Sequence, residues 1–413
     1  MEPTETASSN QVQNTQSRIR VHFCDGIRGL ASLYVVFYHS INIPREFPSI
    51  DKSIAWWFGW MDHGYAAVSV FIVLSGFCLM LPVIRTAEFR IQGELRSYFQ
   101  RRARRILPPY FASLLICLLL HAVMRIIFKN GGTDTTGGSV FTPGNILSHV
   151  FLVHNLVDEW ARRINSTMWS VATEWQIYFL FPLLLLPVWR KFGAGATIVV
   201  GLALGFIPHF LFPKSFNLES ARFWYVGLFA MGAAAAYVAY STNPKIQAIR
   251  SKMPWGFASC ASVIICIGVI IGTNGKYDRL YWALEPMIGA ATAVFLVWCS
   301  LAAKSGTRSH WIVGALESRY LVALGLFSYS LYLTHQPLHI ALMRITNKLH
   351  FGVSTELAFR LVVFVPLAMI IGYAFHLAFE KRFMSSPRSS QTQLSFNPIP
   401  TEMDAKPIEQ PAT

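Results

Sequence analysis

The chain has 413 residues, of which 53% are hydrophobic and only 14% are charged. A soluble domain of this length would carry about 25% charged residues, so the composition excludes an ordinary soluble protein and indicates a multi-pass membrane protein. The formal net charge of +14 would suit nucleic-acid binding, but the arginines and lysines collect between apolar segments, as in cytoplasmic loops. We therefore expect a lipid bilayer around the protein and no nucleic-acid partner.

Ten apolar segments are long enough to cross a bilayer as helices. They lie at 26–43, 64–84, 106–128, 170–189, 194–212, 222–241, 255–272, 281–302, 320–342 and 357–379. An eleventh stretch, 146–157, is too short to span and predicts a re-entrant or interfacial helix. The sequence thus predicts an all-α fold, a polytopic membrane helix bundle with about ten transmembrane helices.

Three regions follow from this pattern. Residues 1–21 are a polar tail, residues 22–384 are the transmembrane domain, and residues 385–413 are rich in Ser, Pro, Gln and Thr and predict a disordered tail. Basic residues precede the first segment and follow every even-numbered one. Because basic loops stay on the cytoplasmic side, both termini are expected to be cytoplasmic, in an endomembrane or the plasma membrane.

The first segment contains two side chains that are costly in a membrane, Arg28 and His39. Their spacing corresponds to three helical turns plus about 20°, so both lie on one helix face, roughly 16 Å apart along the axis. Such groups normally face a protein interior or a wet cavity. In the structural alternative, Arg28 reaches the cytoplasmic surface and His39 is a hydrogen-bonded packing residue.

An arginine cluster precedes the third segment and includes Arg101, Arg102 and Arg105. Guanidinium groups match the geometry of phosphate oxygens, which favours the docking of a phosphorylated donor that arrives from the cytosol. The alternative is a cluster that only sets the topology of the next helix.

Two later segments also contain polar side chains. Trp169, Ser170 and Glu174 open the fourth segment, whereas Ser328 and His335 lie on one face of the ninth. Glu174 is costly in apolar surroundings unless it is paired or protonated, so we interpret it as a partner for His39 or a binder of substrate hydroxyl groups. The alternative for both segments is hydrogen bonding between neighbouring helices.

Five stretches together resemble the membrane acyltransferase-3 family of integral O-acyltransferases. They are 25–31 together with His39, 71–77, 101–110, 169–178 and 328–337, and they extend over residues 22–384. The family signature of an arginine, ten residues and a histidine matches Arg28 and His39. Its basic motif matches Arg101, Arg102 and Arg105. The resemblance implies an enzyme with ten spans that moves an acyl group, usually acetyl from acetyl-CoA, onto a hydroxyl acceptor.

The resemblance also implies roles for these residues. His39 is the candidate general base, since imidazole titrates near neutral pH, and a competing route makes it the acyl carrier. Arg28 is expected to hold the CoA chain or to brace Glu174, which in turn orients His39 or the acceptor. The substrate-binding candidates are Arg101, Arg102 and Arg105 for the CoA phosphates, and Trp169, Ser170, Ser328 and His335 for the acceptor. No metal site is expected, because the six cysteines lack metal-ligand spacing.

The acceptor is the least constrained part of this hypothesis. The tails are short and no further domain follows the last segment, which favours a small hydrophobic metabolite such as a terpenoid or polyketide alcohol. The alternative acceptor is a cell-surface glycan. The alternative class is a multi-span transporter, which would leave the arginine cluster and the five matching stretches unexplained and for which no internal repeat is visible.

Overall fold

The computed structural model describes residues 21–41, 59–86, 88–127, 139–213, 218–273, 277–305, 310–349 and 351–384. Within these ranges the regular structure is helical, so the predicted all-α fold is confirmed. The two predicted tails, 1–21 and 385–413, lie outside the described residues except for residue 21.

The helices are numbered here in chain order. They are α1 (His22–Ser40), α2 (Gly64–Ile84), α3 (Leu95–Ile127), α4 (Pro143–Val150), α5 (Met168–Leu180), α6 (Leu186–Leu211), α7 (Tyr225–Tyr240), α8 (Pro244–Lys252), α9 (Trp255–Gly272), α10 (Tyr277–Lys304), α11 (Trp311–Leu316), α12 (Arg319–Leu326), α13 (Ser328–Leu349), α14 (Val353–Phe359) and α15 (Val365–Phe375). Wider π-helical turns join or extend some of them at Phe181–Leu185, Arg360–Phe364 and His376–Glu380. Short helical turns lie at Gly59–Asp62, His154–Leu156, Asp158–Ala161, Glu219–Ala221 and Lys381–Phe383.

Seven helical segments among the described residues are long and apolar enough to cross a membrane. They are Gly64–Ile84, Leu95–Ile127, Met168–Leu211, Glu219–Tyr240, Trp255–Gly272, Arg279–Lys304 and Val353–Phe383. The predicted first segment corresponds to α1 and the predicted ninth to α12 and α13. Neither is among these seven segments, and the ninth is interrupted at Phe327. The multi-pass character is supported, whereas the number of ten crossings stays a prediction.

The predicted fourth and fifth segments form one helical stretch that reverses at Gly193, where φ is 83°. Before the reversal, the Trp189 ring lies 5.5 Å from that of Tyr237. After it, Gly205 packs against the backbone of Trp224, at the other end of α7. The two arms of the stretch are therefore antiparallel, and glycine allows the left-handed backbone that the reversal requires.

The bundle has two ends that are defined by its antiparallel helices. Arg28, near the start of α1, contacts Cys78, near the end of α2, while the ring of Tyr38, near the end of α1, packs on Gly64 at the start of α2. Arg102, near the start of α3, lies beside Tyr178 at the end of α5. We call the end with Arg28 and Arg102 the basic end, and the end with His39 the histidine end.

A proline in α13 fixes the position of this helix. Pro337 has no N–H, so the carbonyl of Leu333 loses its usual helical partner. Two side chains replace that partner: Ser113 on α3 donates to the Leu333 oxygen at 3.1 Å, and Asn165 donates to it at 3.0 Å. These bonds hold α13 against α3 and the start of α5, which places His335 beside α1.

The predicted short helix at 146–157 forms α4 and the helical turn His154–Leu156. The Thr142 side chain caps α4, and the buried rings of His149 and His154 stack at 3.8 Å between centroids. Burial lowers the pKa of His149 to about 4. The stacked rings are therefore neutral at physiological pH, which removes the repulsion that two adjacent imidazolium groups would feel. The position of α4 relative to a membrane stays a prediction.

Candidate active site

Arg28 lies at the basic end and has two partners in the described part of the chain. Its guanidinium donates to the Asp25 carboxylate at 2.9 Å and to the sulfur of Cys78 at 3.1 Å. Neither contact is made to Glu174, so the interpretations that Arg28 braces Glu174 or holds the CoA chain stay predictions. Its side chain remains 15% exposed, which leaves room for one further acceptor.

The arginine cluster at the start of α3 meets the same region. Arg102 lies over the ring of Tyr178 at 5.9 Å, and its buried Nε has no hydrogen-bond partner in the structure. The charge of Arg105 acts on both Cys78 and Tyr178. Arg101 is exposed. Among the described residues, none of these three arginines forms an ion pair, so the basic end can accept an anionic ligand.

Glu174 lies between the two ends. Its Oε1 accepts hydrogen bonds of 2.5 Å from Ser75 on α2 and from Tyr178 one turn further along α5. These two bonds draw the carboxylate towards the basic end, and the interpretation that Glu174 orients His39 or the acceptor stays a prediction. Ser75, which lies in the stretch 71–77 of the resemblance, is a direct partner of this carboxylate.

His39 lies at the opposite end of α1 and faces a second histidine. Its ring centroid is 5.1 Å from that of His335, whose Nδ1 lies 3.0 Å from the carbonyl of Leu331. His339 is close enough for its charge to act on His39. The Nε2 atoms of His335 and His339 are buried and have no hydrogen-bond partner among the described residues. His39 is partly accessible and makes no side-chain hydrogen bond to the described residues, so its ring is available to a substrate.

Polar side chains connect the two ends through the bundle. The hydroxyl groups of Ser170 and Tyr332 are 2.6 Å apart, and the charge of Glu174 acts on the hydroxyl groups of Tyr329 and Tyr332. Tyr332 is adjacent to His335, with 5.8 Å between their ring centroids. A row of largely buried polar side chains therefore runs from Glu174 through Ser170 and Tyr332 to the histidines, and we call this row the polar passage.

Two predicted acceptor residues have other surroundings. Ser328 donates to the carbonyl of Gly325 at 2.8 Å, which closes the turn between α12 and α13, and it is not brought to His39. Trp169 is buried at the histidine end, where its ring lies 5.1 Å from the guanidinium carbon of Arg222.

Arg222 and Glu285 form a buried ion pair that was not predicted. Arg222 donates to Oε1 of Glu285, and the Trp224 indole donates to Oε2 at 2.8 Å. The carboxylate is fully buried and Arg222 is 5% exposed. The available signal was Glu285 itself, an acidic residue within a predicted membrane span.

These features define a polytopic helical membrane protein with an unpaired basic cluster at one end, histidines at the other and a polar passage between them. A family model described as an acyltransferase domain, that of the acyltransferase-3 family, matches residues 21–377. The chain belongs to this family.

Curated relatives carry names that agree with this assignment. The peptidoglycan O-acetyltransferase OatA of Listeria monocytogenes is 22% identical over 341 residues, which are 78% of this chain and 50% of that protein. The O-acetyltransferase OatA of Staphylococcus aureus is 23% identical over 331 residues, which are 76% of this chain and 50% of that protein. The chain thus spans about half the length of the curated relatives that it matches. No solved structure matches it.

Proposed function

We propose that this protein is a membrane O-acetyltransferase that moves an acetyl group from acetyl-CoA to a hydroxyl group of a glycan. The observation that carries the proposal is the polar passage, which links a cluster of arginines without acidic partners to the accessible ring of His39. The glycan replaces the terpenoid or polyketide alcohol favoured by the sequence, since the curated relatives include a peptidoglycan O-acetyltransferase.

The basic end suits the donor. CoA is an anionic nucleotide with a long arm that ends in the thioester, and the buried Nε of Arg102 is an unused donor at the mouth of the passage. Arg101, Arg102 and Arg105 would bind the phosphates, and Arg28 would bind the arm. The arm must extend about three helical turns, roughly 16 Å, from the level of Arg28 to that of His39.

The histidine end suits the transfer itself. Neutral His39 would accept the proton of the acceptor hydroxyl as the oxygen bonds to the acetyl carbon and the thioester carbon–sulfur bond breaks. That proton then passes to the CoA thiolate, so the reaction is balanced and leaves His39 neutral. The hydroxyl groups of Tyr332 and Ser170 are the nearest candidates to hold the oxygen of the acetyl carbonyl.

We expect the double substitution Arg101→Ala/Arg102→Ala to raise the KM for acetyl-CoA by about tenfold or more with a smaller effect on kcat. Phosphate contacts far from the reacting atoms contribute similar binding energy to the ground and transition states. Steady-state kinetics with each substrate varied in turn measure this difference.

The matched control for this prediction is Arg190→Ala/Lys191→Ala, which removes two exposed basic residues near the same end of the bundle. It should leave the KM for acetyl-CoA unchanged. A rise in the KM for the acceptor alone in the Arg101/Arg102 variant would assign the arginines to another task.

The activity itself is tested by incubating the purified protein with labelled acetyl-CoA and a pool of neutral oligosaccharides. We expect label in an alkali-labile ester on the saccharide, and less of it by about a hundredfold or more with His39→Ala. Label that enters only lipid or terpenoid alcohols would contradict the glycan part of the proposal. Label that never leaves CoA under any condition would contradict the transferase activity.

We further expect both ends of the chain, and with them the basic end of the bundle, to face the cytoplasm, as the positions of the basic loops predict. A C-terminal tag should be cleaved by protease added to sealed vesicles with the cytoplasmic face outward. Protection of the tag in such vesicles would show the reverse orientation.

A further inference from the structure

A cavity of about 410 Å³ opens at the histidine end, within the range of small-molecule sites, roughly 300–1,000 Å³. We call it the outer cavity. It is lined by Asp158, Glu159, Arg162, Arg163, Glu219, Ser220, Arg222 and Tyr281. None of these residues belongs to the basic end or to the polar passage.

The charges of the outer cavity balance, since its lining holds three carboxylates and three guanidinium groups. This distinguishes it from the basic end, where Arg28 pairs with Asp25 but Arg101, Arg102 and Arg105 form no ion pair with the described residues. A phosphorylated or otherwise anionic ligand gains nothing from a balanced lining, and an apolar alcohol would have to desolvate it. A neutral ligand with many hydroxyl groups suits such a lining, because carboxylates accept and guanidinium groups donate hydrogen bonds.

Arg222 connects the outer cavity to the site of transfer. Its guanidinium lies over three aromatic rings, with 4.6 Å to Tyr65, 5.1 Å to Trp169 and 4.6 Å to Tyr281. Tyr65 leads onward to Tyr38, with 6.0 Å between their ring centroids, and Tyr38 adjoins His39. An aromatic wall therefore runs from the outer cavity to the candidate base.

The backbone of Arg222 supports a specific role. Its φ of 44° and ψ of 52° place it in the left-handed region, which disfavours side chains with a Cβ. Such strain persists only where the surrounding structure imposes it, and it clusters at functional sites. Here the imposed contacts are the ion pair with Glu285 and the three rings, which together fix one buried guanidinium in the cavity lining.

We propose, on the basis of the proposed function, that the outer cavity is the acceptor subsite and that it takes a neutral saccharide. Tyr281 supplies an aromatic ring on which a sugar can stack, and the guanidinium of Arg222, 4.6 Å from its centroid, holds the ring in the cavity lining. Arg222 donates to sugar hydroxyl groups, and the aromatic wall directs the acceptor towards His39.

The test measures binding without acetyl-CoA, using the full chain in lipid nanodiscs. Saturation-transfer NMR titrations compare two neutral tetrasaccharides, chitotetraose and maltotetraose, with an anionic hyaluronan tetrasaccharide and with farnesol. We expect at least one neutral saccharide to bind more tightly than the hyaluronan tetrasaccharide and farnesol.

Tyr281→Ala should weaken the binding of that saccharide about tenfold, the size of a lost aromatic contact. Tyr281→Phe retains the ring and should bind close to the wild type. It also controls for misfolding of the Ala variant.

A second substitution tests the charge argument. Glu159 is 68% exposed, and Arg163 keeps a bond to its backbone carbonyl when the side chain changes. Glu159→Lys gives the outer cavity a net positive charge and should tighten the binding of the hyaluronan tetrasaccharide about fivefold at low salt. The matched control for Tyr281→Ala is Tyr320→Ala, which removes a 71% exposed tyrosine from the start of α12. It should leave the affinity for every ligand unchanged.

These outcomes separate the inference from the proposed function. The inference is overturned if no neutral saccharide binds, if hyaluronan or farnesol binds as tightly, or if Tyr281→Ala binds like the wild type. A protein that binds the saccharide through Tyr281 but transfers no acetyl group supports the subsite. The same result overturns the proposed function. The opposite result is a protein that transfers acetyl groups with the same KM for the saccharide in the wild type and in Tyr281→Ala. That result overturns the subsite and leaves the proposed function intact.

Discussion

His39→Ala should lower the rate of acetyl transfer by about 10²–10⁴-fold, the usual contribution of a general base. The ring of His39 is partly accessible and makes no hydrogen bond to the described residues, so its removal should not disturb insertion or folding. The rate is measured with saturating acetyl-CoA and acceptor on purified protein. Wild-type turnover in this variant would remove His39 from the mechanism.

The matched control is His22→Ala, which removes a partly buried histidine at the other end of the same helix. It should keep the wild-type rate. A third measurement separates the two chemical routes: acetyl-CoA without acceptor should leave no label on the protein if His39 is a base. Label that is lost in His39→Ala would indicate an acyl-histidine carrier instead.

Glu285→Ala should destabilise the protein by about 3–5 kcal/mol, the effect of removing one partner from a buried ion pair. The substitution leaves the buried guanidinium of Arg222 and the Trp224 N–H without their shared acceptor. Glu285→Gln keeps an oxygen for one of these donors, so its loss should be smaller. Thermal unfolding in the same detergent measures both.

Glu88→Ala is the control for this stability prediction. Glu88 pairs with Arg90 at 2.6 Å, but the two side chains are 65% and 68% exposed. Exposed pairs contribute about 0–1 kcal/mol, so this variant should unfold close to the wild type. If the Glu285 and Glu88 variants lose the same stability, the buried pair contributes no more than a surface pair.

The sequence predicted those features that depend on spacing along one helix. The separation of Arg28 and His39 placed them at opposite ends of one helix face, and the arginine pattern placed a cluster at the start of α3. The apolar segments predicted most of the long helices to within a few residues. The number of crossings stays a prediction, since α1 and α13 are outside the seven apolar segments of the structure.

Contacts between helices could not be predicted from the same spacing. Glu174 was paired with His39 in the sequence interpretation, whereas Ser75 and Tyr178 bind its carboxylate in the structure. Arg222 lies just before α7 and Glu285 within α10, so nothing local relates them. The reversal at Gly193 likewise depends on tertiary packing. So do the hydrogen bonds from Ser113 and Asn165 to the carbonyl of Leu333.

The central claim is that a donor at the basic end and an acceptor at the histidine end meet through one passage. Proteoliposomes test it directly, with labelled acetyl-CoA only outside and a neutral oligosaccharide only inside. We expect labelled ester on the enclosed saccharide, at a rate that falls by about a hundredfold or more when His39→Ala replaces the wild type. Ester that forms only when donor and acceptor are on the same side of the membrane would contradict the claim.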